Sequence, residues 1–585
     1  MKDYKFSNKE IIALLKEVEA AMQVKTADYN FFQIRAYQNV IASIENLTSS
    51  VFDLWEHDQL NTIPGIGGGL TQHLNNLFTK GKVEEFEKAL EGLPDGMFGL
   101  IGLRSVGAKR AFKLASEFEL LNRKTAIDKL KKHAEKGHIQ KLDGFAEKSE
   151  KDILNAIEHS KKTKSEKERM LYAKAEQVVE RVGEYLGKAD FIDRVEVLGS
   201  FRRKKDTVGD IEFAVVTKEP EHVMDYFVKF PEVEDVLMKG DKRSSVVLKN
   251  DVQVDFRVSK PEALGSMVQY FTGNKQHNIL LRQYALDKGM SLSEYGIKKG
   301  GKLLEFSDEK DFYKELGLQY IEPELRHGWD EIELAKKKKL PDLVELDDIK
   351  GDIHTHTTFS DGVNTLSEMA AYAQDLGYEY IGISDHAPSV QSRGYDEVAR
   401  IIEAKRKEID SFNEVSKGVN ILYGYEVNIL VDATLAMPDD LMEKLDYVIA
   451  GVHTSFNRDK DEMTKRLVAA LKNPHVNVLA HPTGRLLNER PAYDVDWEEV
   501  LNTARDNDKI LEIDANPNRL DLTYDLVKRA VDKGVKIIIT TDAHEASQML
   551  FMKYGVSVAR RGWCTKKNIL NTLPYNEFVK SLGIK

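Results

Sequence analysis

The chain has 585 residues, 42% of them hydrophobic and 31% charged, with one cysteine and a formal net charge of −11. That length exceeds what one core organises, so three or more domains are expected, and the composition of an ordinary globular protein excludes a disordered chain. The lone Cys564 excludes an intramolecular disulfide and cysteine-rich zinc sites, while the negative sum does not exclude nucleic acid, because phosphate binding depends on local fields and oriented amides.

The opening MKDYKFSNKE lacks the apolar core of a signal peptide, and no apolar run is long enough to cross a bilayer, so a cytoplasmic protein without membrane contact is expected. Residues 1 to about 165 are predicted as short helices separated by glycine-containing turns. LNTIPGIGGGLTQHL has the form of a helix-hairpin-helix, in which the amides around Gly65 and Gly67 point at one spot and hold a phosphate without side-chain charge. LIGLRSVGAKRAFKL repeats the pattern around Gly102 and Gly107, and KLDGFAEKSEKDI is a weaker third copy with Ala146 where glycine is usual. One such turn commonly does no more than cap a helix; repetition gives the pattern its weight.

From Val195 the runs VEVLGS, DIEFAVV, SVVLKN and VQVDFRV predict strands. Strand alternation puts Asp210 and Glu212 on one face with Ile211 buried opposite, and Asp255 arrives from a later strand as a third carboxylate. Three acids so close repel one another unless divalent cations sit among them, which is the layout of a two-metal phosphoryl-transfer site taking Mg²⁺ or Mn²⁺. The preceding Gly199-Ser200 turn offers donors to phosphate oxygens and Arg203 adds a cation. A mixed helix and strand region follows to about Leu334, and AKKKKLPDLVELDD then reads as a solvated linker.

Beyond the linker, seven apolar runs alternate with helical segments: GDIHTH, YIGISDH, ILYGYEVNIL, YVIAGVH, VNVLAH, ILEIDANP and KIIITTDAH. This pattern predicts parallel βαβ units closing into a barrel, with a site at the C-terminal ends of the strands. Those ends carry His354, His356, Asp361, His386, Glu426, His453, His481, Asp542 and His544. A single histidine at a strand end is usually a packing or capping residue. Nine imidazoles and carboxylates at successive strand ends point to Zn, Mn or Fe, in a cluster of two or three ions able to activate water against a phosphate ester. Arg393, Lys472, Arg485 and Arg519 are candidate phosphate-binding cations, with Arg519, after EIDANPN, nearest the predicted mouth.

HTHTTFSDG, ISDHA, YEV, GVHTSF, AHP and TDAH, in that order, resemble the polymerase and histidinol phosphatase (PHP) family over about 350–585. The resemblance implies a distorted (β/α)7 barrel, a trinuclear Zn²⁺/Mn²⁺/Fe site on the nine positions, and cleavage of phosphoesters of small molecules or DNA 3′ ends. One departure is Asn428, where polymerase-linked members usually carry Asp; it is expected to support a ligand without being one.

VLGSFRRKKDTVGDIEFAVV with VQVDFRV is similar to the nucleotidyltransferase superfamily, and YFTGNKQHN, Arg282 and LSEYGI narrow the likeness to family X DNA polymerases of bacterial type. That resemblance assigns Gly199, Ser200, Arg203 and Gly209 to the triphosphate, Tyr270, Phe271 and Gly273 to the sugar pocket, and Asn278 and Arg282 to the nascent base pair. Two departures stand out: Glu212 replaces the usual Asp, and Lys204 replaces the glycine of RRG. The extra methylene moves the carboxylate by roughly 1.5 Å, so weakened polymerisation or a preference for Mn²⁺ is expected. The family's lyase lysine falls on His73, which cannot form an imine, so no lyase activity is expected through this position.

The expected multidomain architecture is an N-terminal all-α helix-hairpin-helix domain (1–85), a helical fingers region with further hairpins (86–165), an α+β nucleotidyltransferase palm (166–262), a thumb (263–335), a linker (336–348) and a PHP barrel (349–585). The expected function is gap-filling DNA repair synthesis on gapped or nicked DNA with dNTPs, in a monomer associated with the nucleoid during repair. A metal-dependent 3′–5′ exonuclease, or an abasic-site endonuclease, is expected in the barrel. The alternatives are a histidinol-phosphatase-like phosphoesterase on an inactive polymerase scaffold, and a structural DNA-binding protein with both centres degenerate.

Overall fold

The computed structural model describes residues 6, 8–45, 51–56, 60–63, 65–101, 103, 106–147, 149–154, 156, 157, 169–250, 252–416 and 418–584. The chain forms two units, Met1–Lys167 and Glu168–Lys585. Among the described residues, no helix is long and apolar enough to cross a membrane.

The first unit is all helical. Ile11, Leu15, Val18 and Met22 recur at helical spacing along Asn8–Val24 and bury one face against Phe31–Glu45 and Glu84–Leu90, in a core that also takes in Val40, Leu74 and Phe78. A second core gathers Leu100, Leu114 and Leu130 from the helices Asp95–Leu100, Ala108–Glu117 and Arg123–Glu135.

The second unit opens with a five-stranded sheet of β1 (Ile192–Val197), β2 (Ile211–Thr217), β3 (Val233–Lys239), β4 (Arg243–Leu248) and β5 (Gln253–Ser259), ordered β1-β2-β5-β4-β3. Only β2 and β5 run parallel, and their register sets Glu212 directly beside Asp255. Ile211, Phe213 and Val215 point the other way into the core, so the β2 alternation expected from sequence is met. The helices Leu264–Thr272 and Lys275–Leu286 follow, the second capped by Asn274, and then a three-stranded antiparallel sheet over 290–304.

The barrel comprises β6 (Gly351–Thr355), β7 (Tyr380–Ile383), β8 (Asn420–Asn428), β9 (Tyr447–Gly451), β10 (Val478–Leu479), β11 (Ile510–Asp514) and β12 (Lys536–Thr540), all parallel and in chain order. Thr355 bridges Ala543, and His356 N donates to Ala543 O at 2.8 Å, so the last strand end meets the first. Such strands are covered on both faces, which explains their continuous apolar runs. Ile353, Tyr380, Leu422, Tyr447 and Ile538 fill the interior, and Phe578 of the helix Tyr575–Ser581 joins this cluster.

The segment read as a solvated linker is a correction. Lys337, Lys338 and Lys339 are exposed, but Leu343 and Val344 are buried, and Val344 N donates to Cys564 O at 3.0 Å. Arg560 fastens the segment further, donating to Val344 O at 3.1 Å and Glu345 at 2.8 Å. Two adjacent apolar residues anchor a stretch whose charge pattern alone suggested solvent.

Candidate metal centres and nucleic-acid interface

In the palm sheet, Asp210 immediately precedes β2, and Glu212 and Asp255 stand side by side on β2 and β5. Ser245 Oγ and Gln253 Nε2 donate to Asp255 Oδ1 at 2.6 and 2.9 Å, and Arg243 reaches Oδ2 at 3.0 Å. Burial pushes the Asp255 carboxyl up, but these partners outweigh it and hold the group below its ordinary value. Glu212 is less well supported: burial, and then Asp210, push it up to about 7 against the pull of Arg257 and Arg203. An acid so destabilised as an anion marks a place where cations would be favoured.

The residues expected around the nucleotide converge here. Gly199 begins a short helical turn at φ +65°, and a Cβ there would stand 2.4 Å from Glu212 Oε2. Ser200 lies in the same turn, and Arg203 follows it with Nη1 on Thr272 O. Burial and the nearby Arg561 and Arg326 lower Arg203 to about 10. Gly273 closes the helix Leu264–Thr272, and a Cβ on it would stand 3.3 Å from Arg203 Nη1. A Cβ on Gly209 would stand 3.0 Å from Arg169 Nη1, a cation the sequence reading missed. Tyr270 and Phe271 form an edge-to-face pair, with Arg257 3.9 Å over the Phe271 ring and Arg282 5.8 Å over Tyr270. Asn278 donates to Tyr270 O at 2.8 Å and accepts from Gln269, tying the helix Lys275–Leu286 to the Tyr270 turn.

The barrel brings its nine expected residues together at the C-terminal strand ends. Glu426 is the hub: His386 Nδ1, His453 Nε2 and His481 Nε2 lie at 3.0, 2.8 and 2.9 Å from its oxygens, and His354 Nε2 at 3.6 Å. Asp542 stands 3.1 Å from His356 Nε2 and 3.5 Å from His354 Nε2. Asp361 stands 3.4 Å from His386 and 3.3 Å from His544. Three donor groups result: His356, Asp361, His386 and His544; His354, His356 and Asp542; and His386, Glu426 and His453.

Several of these buried atoms, among them His354 Nε2, both ring nitrogens of His356 and Glu426 Oε2, have no hydrogen-bond partner, a costly state that a bound cation relieves. The donor set therefore fits divalent metals. His481 and Asp542 have positive φ, at 30° and 51°, a strained backbone of the kind that concentrates at functional sites. A Cβ on Gly451 would lie 2.9 Å from Glu426 Oε1 and 3.0 Å from His453 Nε2, so β9 ends in glycine because the ligands crowd it.

The supporting shell was mostly missed in the sequence. Glu512 accepts from His354 Nδ1, and buried Asp385 organises the loop before Asp361, accepting from Thr357 N, Thr357 Oγ1 and Ser360 Oγ at 2.6, 2.8 and 2.7 Å. Buried Lys405 neutralises Asp385 at 2.6 Å. Asn428 accepts weakly from His453 N at 3.4 Å. Among the candidate cations, Arg519 stands 3.4 Å from Asp514 and 3.7 Å from Asp542. Arg393 is exposed and lies 3.5 Å from Glu397, and Lys472 is exposed at the end of the helix Lys460–Lys472. Arg485 is a correction: it is tied to Asp206 of the palm at 2.9 Å instead of standing free for substrate.

In the helical unit one turn recurs three times. Ile66 N donates to Ile63 O at 3.1 Å, Val106 N to Leu103 O at 3.0 Å and Phe145 N to Leu142 O at 3.0 Å. The next residues are Gly67, Gly107 and Ala146. Gly67 and Gly107 cap the helices Gly68–Lys80 and Ala108–Glu117, with open space where a side chain would stand. Gly65 takes φ +85°, a conformation that favours glycine. Free first-turn amides above an open surface suit a phosphate. Gly102 lies outside the described residues. His73 Nδ1 is 3.3 Å from the Tyr37 hydroxyl, and burial lowers its pKa.

Comparison with known proteins agrees with these features. The helix-hairpin-helix domain family matches residues 6–83, the DNA polymerase beta thumb residues 267–327 and the PHP domain residues 352–516. The chain is 35% identical over 572 residues to the DNA polymerase/3′-5′ exonuclease PolX of Bacillus subtilis (strain 168), covering 96% of this chain and 97% of that protein. A probable phosphatase of Thermoanaerobacter sp. (strain X514) is 29% identical over 232 residues, which is 38% of this chain and 89% of the phosphatase. A probable phosphatase of Acetivibrio thermocellus is 30% identical over 202 residues, 33% of this chain and 78% of that protein. The carboxylate trio beside a glycine turn, the ring of imidazoles at the barrel mouth and a relative alike from end to end lead to one assignment: the chain belongs to the family X DNA polymerases that carry a C-terminal PHP domain.

Proposed function

We propose that this chain fills short gaps in DNA from its palm centre and hydrolyses phosphodiesters at DNA 3′ ends in its barrel. The observation that carries the reading is the pair of separate donor clusters within Glu168–Lys585: three carboxylates beside the Gly199 turn, and nine imidazoles and carboxylates at the barrel mouth. Asp210, Glu212 and Asp255 would hold two Mg²⁺ or Mn²⁺, and the nine barrel residues up to three Zn²⁺, Mn²⁺ or Fe ions. Bound ions at either centre would lower the pKa of a coordinated oxygen and offset phosphate charge.

The remaining work falls to the chain. The Gly199-Ser200 turn, Arg203 and Gly209 receive the triphosphate, Tyr270, Phe271 and Gly273 the sugar, and Asn278 and Arg282 the nascent pair. Gly65, Gly67 and Gly107 grip the DNA backbone without reading sequence. In the barrel, Glu512 keeps the His354 ring oriented, and Arg519 offers charge to the phosphate. Domain limits of 1–85, 86–165, 166–262, 263–335 and 349–585 accompany this reading, with 336–348 as a packed strap. The protein works as a cytoplasmic monomer on gapped or nicked DNA.

A 5′-labelled primer in a gapped duplex, incubated with Mn²⁺ with and without dNTPs, reads lengthening and shortening together. Asp210→Ala is expected to abolish lengthening and spare shortening, and His354→Ala the reverse. A wild-type chain that never lengthens the primer with any metal, yet releases phosphate from small monoesters, would instead favour the phosphatase-like reading that the barrel-only relatives suggest.

A further inference from the structure

Two arginines of the barrel reach across to one carboxylate of the palm. Asp206 lies between Arg203 and Asp210, and its side chain is 12% exposed. Arg485 Nη2 donates to Asp206 Oδ2 at 2.9 Å, and Arg561 Nη1 donates to Oδ1 at 2.8 Å, so each oxygen has its own guanidinium. Arg485 stands four residues beyond His481, and Arg561 ends the helix Met552–Arg561.

Both arginines are themselves held. Arg485 Nε donates to Arg519 O at 2.9 Å, and its Nη2 also bonds Leu520 O. The Arg561 guanidinium lies 3.9 Å over the Tyr524 ring, and its side chain is 4% exposed. The loop is also fastened beside Asp206, where Arg169 donates to Thr207 Oγ1 and O at 3.0 and 2.6 Å and Asn488 in turn donates to Arg169 O at 2.7 Å.

This arrangement has a direction. After burial, Arg561 contributes most to the lowered pKa of Arg203, so like charges are packed together at the edge of the nucleotide site. Buried like charges are tolerated only where an anion is fixed among them. Asp206 supplies that anion to Arg561 and Arg485, and two hydrogen bonds to two rigid donors give it one position. The turn carrying Ser200, Arg203 and Asp210 therefore inherits its position from the barrel.

We propose that Asp206 is a positioning residue, and that its clamp by Arg485 and Arg561 makes the barrel a structural part of the polymerase's nucleotide pocket. The proposal rests on the reading of Ser200 and Arg203 as triphosphate ligands.

The sign of one measurement separates positioning from plain electrostatics. Asp206→Asn removes a negative charge near an anionic ligand, so electrostatics alone lowers the dNTP KM. Loss of the clamp raises it. In full-length protein, Asp206→Asn is expected to raise the dNTP KM in gap filling about ten-fold, or ~1.4 kcal/mol, with kcat within about two-fold, as for loss of charge-assisted hydrogen bonds. The melting temperature is expected to fall because Arg485 and Arg561 lose a buried partner, but single-strand shortening below the melt should hold, Asp206→Glu should restore most of the loss, and Asp206→Asn/Arg485→Gln should be no worse in KM than Asp206→Asn alone. An unchanged or lowered KM, singles that add in the double variant, or a common fall in kcat and shortening would overturn the proposal. Direct titration with a fluorescent dATP analogue keeps the two readings apart: a ten-fold weaker Kd in Asp206→Asn supports the clamp even if no variant extends a primer, and an equal Kd ends it.

Discussion

Glu512 Oε1 accepts from His354 Nδ1 at 2.6 Å while its Oε2 accepts from the backbone N–H of His481, also at 2.6 Å. One carboxylate on β11 thus orients a residue on β6 and another just beyond β10, and Thr540 Oγ1 steadies it at 2.7 Å. With Nδ1 committed as a donor, His354 presents Nε2 toward Glu426 and Asp542. Glu512→Gln is expected to lower barrel hydrolysis and bound-metal content about 10- to 100-fold, the usual range for such partners. Primer extension should be unaffected; metal analysis and shortening of a labelled oligonucleotide check both halves.

Gly199 and Glu212 depend on one another. Gly199→Ala puts a methyl 2.4 Å from Glu212 Oε2 at a φ of +65°, and small displacements of a catalytic group can cost on the order of 100-fold. Extension is expected to fall by about that factor, while hydrolysis in the barrel persists. Adding Glu212→Asp withdraws the carboxylate by roughly 1.5 Å and should recover part of the loss, since the backbone strain remains. Rates with Mg²⁺ and Mn²⁺ for the single and double variants decide it.

Acid should loosen the thumb through Glu309. Burial pushes this carboxyl up, but Arg326 at 2.6 Å and Arg202 at 2.8 Å overcome it and hold the group at about 2. A depressed folded pKa means the stabilisation is complete above the unfolded value near 4.5 and is lost as pH falls from there toward 2. The loss amounts to about 3 kcal/mol. Thermal melts from pH 7 to pH 3 should drop more steeply for the wild type than for Glu309→Gln, which starts lower because it strands buried Arg326.

Lys405 carries the loop of Asp361 indirectly. Its ammonium neutralises buried Asp385 and lies 4.6 Å from the Tyr425 ring. Lys405→Met leaves a buried carboxylate unpaired, at a cost of about 3–5 kcal/mol, and should lower shortening with little change in extension. Lys405→Met/Asp385→Asn should regain stability but not the full hydrolytic rate, because the amide keeps one acceptor oxygen and the Thr357 hydroxyl loses the other. A double-mutant comparison of melting temperature and rate tests both statements.

The barrel was legible because its chemistry is periodic: buried parallel strands write continuous apolar runs, and each ends where a ligand must emerge. The same alternation could have exposed Glu512 and Asp514, two acids spaced by two inside the otherwise apolar ILEID run. Asp206 and Arg485 were illegible, since an ion pair spanning 279 positions leaves no local signature. Leu343 and Val344 misled for the opposite reason, as two apolar residues inside a charged stretch weigh little in composition yet decide where the stretch lies. At the palm, three carboxylates were readable from strand register, whereas the grip of Ser245 on Asp255 needed the neighbouring strand β4.

The docked Leu343–Val344 pair bears on how far the two catalytic halves are separate molecules joined by string. Severing the backbone near Lys339 would not release two tidy enzymes: Leu343 would lose its seat among Leu281, Phe312 and Leu316, and Arg560 would be parted from Glu324. The barrel fragment would emerge with an oily scar and stranded guanidinium groups, the other with stranded carboxylates. Trimming and filling are thus bound to a single inheritance, because neither half can be shed without damaging the other's surface.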